Sequence, residues 1–139
     1  MTHATERRLL QAAAAFACLV PLLMGGLSVI QGPDILHAGA ARGQANFDSH
    51  FRYLSGLLLG IGFAFAALIP RIERSGSAFR LLTLIVVVGG LARLWSALQL
   101  GLPGHGHVFG LVMELVVVPA LMLWQLRVAR NSEPPRPLV

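Results

Sequence analysis

Four stretches of this chain are apolar for long enough to cross a bilayer: residues 9–30, 51–69, 81–100 and 108–126. As helices rising ~1.5 Å per residue they cover roughly 28–33 Å each, matching a hydrocarbon core of about 30 Å. Composition agrees. Of the 139 residues, 55% are hydrophobic and 12% charged, and the mean hydropathy is +0.70, whereas a soluble domain carries about a quarter charged residues. The sequence therefore predicts an all-α integral membrane four-helix bundle. It forms one domain over 1–130, followed by a disordered cytoplasmic tail at 131–139 that carries Pro134, Pro135 and Pro137.

The net charge of +5 does not point to nucleic acid, because the arginines sit at the ends of apolar runs rather than in a binding stripe. Arg7 and Arg8 precede the first run, Arg71, Arg74 and Arg80 lie between the second and third, and Arg127, Arg130 and Arg136 follow the fourth. The other side holds Arg42 and Arg52, offset by Asp34 and Asp48. Arginine bias places both termini in the cytoplasm and residues 31–50 and 101–107 outside. The first run is 22 residues long, against the 7–15 or so of a secretory signal, and reads as a retained helix. Cys18 within it reads as a small core residue.

Local signals set the helix ends. Gly32-Pro33-Asp34 ends the first, Asn46 or Asp48 caps the second, Pro70 stops it, Ser77 caps the third, and Gly101 with Pro103 closes it. Pro21 and Pro119 fall inside helices and should kink them. Gly56, Gly60 and Ala64 form a small-residue face suited to close packing. Packing inside the chain is the favoured use of that face, and a homo-oligomer is the alternative.

Arg93 and Glu114 are the only ionisable residues well inside the apolar runs, where a charge costs about 2.5–3.5 kcal/mol on the translocon scale. Arg93 lies seven residues below Leu100 and Glu114 seven below His107, so both are roughly 10 Å deep. A short turn joins the two helices, so the pair can meet across an antiparallel interface beside Gly89, Gly90 and Gly110. Ser96 and Gln99 continue the polar arc outward, and Asn46, Asp48, Arg52 and Tyr53 gather at the same end. That concentration favours an outer-leaflet polar site over a channel. The bland alternative is an ion pair that fixes helix register. Likewise Asp48 can be a helix cap, and Arg52 can snorkel to the interface. His105 and His107 lack a complete metal-ligand set, and neither a metal nor a cofactor is expected.

Several stretches resemble a bacterial family of small four-helix inner-membrane proteins catalogued as a domain of unknown function. They are Asn46-Phe47-Asp48-Ser49-His50-Phe51-Arg52-Tyr53-Leu54-Ser55-Gly56, Pro70-Arg71-Ile72-Glu73-Arg74, Gly89-Gly90-Leu91-Ala92-Arg93, and Glu114-Leu115 followed by Pro119 and Trp124-Gln125. The resemblance covers roughly residues 9–130 and implies a fold and a location in the bacterial inner membrane, without an activity to transfer. Two functions lead, and a transporter subunit built from an oligomer is a third option. In the first, the protein binds a lipophilic ligand or supports a membrane complex through Arg93, Glu114, Arg52, Asn46 and Asp48, in contact with membrane lipids. In the second it is a membrane-embedded isomerase or hydrolase of a lipophilic substrate. Glu114 is then the acid/base and Arg93 stabilises negative charge, assisted by Tyr53 or Asp48.

Overall fold

The computed structural model of the chain describes residues 2–36 and 44–132. Among these residues the protein is all-α, with no strand. Helix α1 (His3–Gln31) ends in a 3-10 turn, Gly32–Leu36. Helix α2 (Ala45–Leu68) runs into a second 3-10 turn, Ile69–Arg74, and α3 (Gly76–Leu100) follows. The fourth span, His105–Ser132, consists of α4 (His105–Val112), a π turn (Met113–Val117) and α5 (Val118–Ser132). All four spans are long and apolar enough to cross a membrane.

The helices overrun the apolar runs at most ends, because hydropathy marks where hydrocarbon stops and not where backbone hydrogen bonding stops. Consequently α2 starts at Ala45, and Asn46 and Asp48 lie inside its first turn instead of at its cap. Ser75, not Ser77, occupies the N-cap position of α3, and it makes no side-chain cap bond. Gly101 closes α3 at φ +92°, its amide donating to the Ala97 carbonyl at 2.9 Å. Asn131 and Ser132, expected in the tail, are helical, and the rest of the expected tail lies outside the described residues.

The two internal prolines behave differently. Helix α1 continues across Pro21 as a single helix. Pro119 has no N–H for the Leu115 carbonyl, and its ring crowds that carbonyl. The preceding turn has widened, so that the Val118 amide donates to Met113, five residues back.

Two compact units make up the chain: Met1–Ala14 with Leu68–Val139, and Ala15–Ala67. In the first, α3 packs on the fourth span, and the Ile69–Arg74 turn packs on α5. Gly90 makes the closest approach, since a Cβ there would lie 2.7 Å from Leu115 Cδ2 and 2.9 Å from Glu114 Cβ. In the second, the end of α1 lies against α2 through Gly25, whose Cβ would meet the Leu59 backbone at 2.8 Å, and Gly62, which faces Leu22. Gly56 and Gly60 were the favoured packing glycines, but within this helix pair a Cβ at either would meet no atom within 4 Å. Small-residue spacing identifies a face that can pack closely; Gly25 and Gly62 show which face does.

The neighbouring glycines of α3 give a direct check on this packing. A Cβ at Gly89 would meet nothing within 4 Å, so Gly89→Ala gains only helix propensity, about 1 kcal/mol. Gly90→Ala sets that gain against overpacking of about 1–3 kcal/mol. Thermal unfolding in detergent should rank Gly89→Ala above Gly90→Ala. The reverse order would refute the close approach at Gly90.

Candidate functional site

Arg93 and Glu114 meet as their matched depths require. Arg93 Nε donates to Glu114 Oε2 and Nη2 donates to Oε1, both at 3.0 Å. This is the two-pronged fit of a planar guanidinium on a carboxylate. Gly90, one turn from Arg93 on α3, brings the backbones close enough for the fit. Gly110 is less critical, because a Cβ there would stand 3.8 Å from Arg93 Cζ, an ordinary contact. Glu114 sits in the π turn, so the Pro119 defect reshapes the very turn that presents the carboxylate. The pair is not sealed: the Arg93 side chain is 34% exposed and that of Glu114 18%.

The other predicted residues belong to the Ala15–Ala67 unit. Arg52 Nε donates to Asp48 Oδ2 at 2.8 Å, one helical turn back. Its Nη1 donates to the carbonyls of Val29 and, at 2.9 Å, Ile30. Those carbonyls lie in the last turn of α1, and the residue placed to bond that of Val29 is Pro33, which has no N–H. Arg52 therefore caps the negative end of the α1 dipole, and Asp48 aims it. Gly32 follows at φ +65°, and a Cβ on it would lie 2.5 Å from Arg52 Nη2 and 2.8 Å from Asp48 Oδ1. Only glycine suits both the backbone angle and the space. Asn46 and Tyr53 are exposed on α2.

A third polar group escaped sequence reasoning. Gln11 Nε2 donates to the carbonyls of Ile69 (2.9 Å) and Pro70 (3.4 Å), and Gln125 Nε2 donates to that of Ile72 at 2.8 Å. Together they hold the turn Ile69–Arg74, where Pro70 and the non-helical Arg71 interrupt the ladder. Ion pairs Arg7–Glu73 (3.3 Å) and Arg127–Glu6 (3.2 Å) join the same elements. The start of α1, this turn, the start of α3 and the end of α5 thus share one arginine-rich end. Its signal was present in the sequence as two glutamines inside otherwise apolar runs, near that end.

Removing one partner of the Arg93–Glu114 pair leaves the other without its hydrogen-bond partner in an apolar span. Glu114→Leu or Arg93→Leu should each lower stability by about 1–3 kcal/mol. The double variant Arg93→Leu/Glu114→Leu should regain most of that loss, because apolar replacement of both partners is close to neutral. Unfolding of the four proteins in detergent measures the coupling; additive losses would mean that the two side chains act independently.

No solved structure and no curated protein matches the chain. A family model described as "Domain of unknown function (DUF4345)" matches residues 9–125. That match takes in the Arg93–Glu114 pair, the Asp48–Arg52 clamp and both glutamines of the arginine-rich end. The chain belongs to the DUF4345 family, a domain of unknown function.

Proposed function

We propose that this protein is a multi-pass protein of the bacterial inner membrane, with both termini in the cytoplasm. In this reading it is a non-enzymatic binder that holds the polar head of a lipophilic ligand at Arg93. The observation that carries the reading is the unfinished hydrogen bonding of that guanidinium. It offers five N–H donors, and only Nε and one hydrogen of Nη2 are used, both on Glu114. The Nη1 group has no acceptor among the described residues, and the side chain is one-third exposed within an apolar span. Donors left bare in hydrocarbon cost several kcal/mol each, so an acceptor from the bilayer is favoured there.

The pair's own charges cancel, which selects a neutral acceptor such as a carbonyl or ester oxygen over a free anion. The same geometry weighs against Glu114 as an acid/base. Both of its oxygens accept from Arg93, so the carboxylate faces the guanidinium rather than a substrate.

Native mass spectrometry of protein extracted in mild detergent is the test. Wild type should carry a lipophilic adduct, and the Arg93→Leu/Glu114→Leu variant should lose it while keeping its helical content. Repeated recovery of bare wild-type protein would sink the binding reading. Orientation is tested separately: with Cys18→Ala, a Gln44→Cys thiol should react with an impermeant maleimide from outside the cytoplasmic membrane. Labelling only from the cytoplasmic side would invert the proposed topology.

A further inference from the structure

The unit formed by Met1–Ala14 and Leu68–Val139 contains a cavity of about 730 Å³ at its arginine-rich end. Arg93 lies thirteen residues further along α3 than Arg80, roughly 20 Å away at ~1.5 Å per residue. Arg7, Arg74, Arg80 and Arg130 line the cavity, together with Glu73 and Gly76. Arg7 is paired with Glu73. Arg74, Arg80 and Arg130 have no carboxylate partner among the described residues. Among the described residues that line it, four guanidinium groups against one carboxylate leave three positive charges around one volume. All three are exposed, so solvent screens their repulsion in part, and a multiply charged anion with several acceptor oxygens offsets the remainder best.

The backbone adds to the same field. Gly76, which lines the cavity, is the first residue of a helix 25 residues long. The preceding Ser75 turns its hydroxyl back to the Arg71 carbonyl at 2.9 Å and caps nothing. The amide end of α3, where the helix dipole is positive, is thus left to whatever occupies the cavity. The turn that carries Glu73 and Arg74 is held in place by Gln11 and Gln125, so the backbone on that side of the cavity is fixed before a ligand arrives. Membrane orientation alone does not require this arrangement. It depends on how many arginines flank a span, and Arg8 and Arg71 serve it equally well from outside the cavity lining.

We propose that this cavity binds a phosphate ester, gripped by Arg74, Arg80 and Arg130 at the N-terminal end of α3. Planar guanidinium groups match phosphate oxygens in pairs. The ester can be the headgroup of an acidic lipid or a soluble phosphorylated molecule, and the two sources are separable by experiment. The site is distinct from Arg93 in position, charge and ligand chemistry, so neither reading depends on the other.

The test titrates the full-length protein in dodecyl maltoside with dioctanoyl phosphatidic acid, dioctanoyl phosphatidylcholine and glycerol 3-phosphate. Phosphatidic acid should bind at least ~10-fold more tightly than phosphatidylcholine, whose choline charge opposes the arginines. The variant Arg74→Gln/Arg80→Gln/Arg130→Gln should lose ~10-fold or more of that affinity, whereas Arg8→Gln/Arg71→Gln should stay within ~2-fold of wild type. Stronger binding of phosphatidic acid than of glycerol 3-phosphate identifies a lipid headgroup; equal binding identifies a soluble ester. Equal losses in the two variants, or no preference for phosphatidic acid over phosphatidylcholine, would overturn the site. Should the triple variant lose its helical content, Arg130→Glu on the exposed last turns of α5 takes its place. Unchanged phosphatidic acid affinity in that variant overturns the proposal equally.

Discussion

Hydrocarbon offers a peptide group nothing to bond with, and three interruptions of the helices in this protein are repaired from within the chain. The carbonyls at the end of α1 receive Arg52. The turn at Pro70 receives Gln11 and Gln125, whose amides reach its carbonyls from α1 and α5. Missing the Pro119 donor, the fourth span repairs itself by widening one turn. The polar side chains along the spans are therefore distributed by backbone need as much as by chemistry. Arg93 stands apart, because its partner is a side chain and its donors are not used up.

This division explains what could be read from the sequence. The four spans were legible because twenty or so apolar residues have few other uses. The Arg93–Glu114 contact was legible because two opposite charges at one depth on adjacent helices have few other solutions. Arg52 was not, since its acceptors are the carbonyls of Val29 and Ile30, and a carbonyl leaves no mark in a sequence. Gln11 and Gln125 stand out in the sequence as polar residues in apolar runs, but their role was hidden for the same reason. The Gly56–Gly60 spacing proved a poor guide within the α1–α2 pair, because spacing describes one surface and packing needs two; Gly25 and Gly62 lack the motif and make the contact.

Two chemically different environments follow from the same economy of charge. At the Arg93 level one guanidinium and one carboxylate cancel, leaving hydrogen-bond donors without net charge. At the arginine-rich end Glu6 and Glu73 pair with Arg127 and Arg7, while Arg74, Arg80 and Arg130 line a cavity without a carboxylate partner among the described residues. A chain with six acidic and eleven basic residues cannot neutralise every arginine. The fold places much of the surplus around a single volume.

The π turn has a consequence for how the two ends coexist. One extra residue in a turn rotates everything beyond it by about 100° relative to an unbroken helix. In the fourth span, α5 keeps Gln125 turned to the Ile72 carbonyl while Glu114, on the other side of Pro119, faces Arg93. The widened turn acts as a phase adjuster, setting the angular register of one half independently of the other. Each half of a single helix can thus be tuned to its own neighbour without a compromise in between.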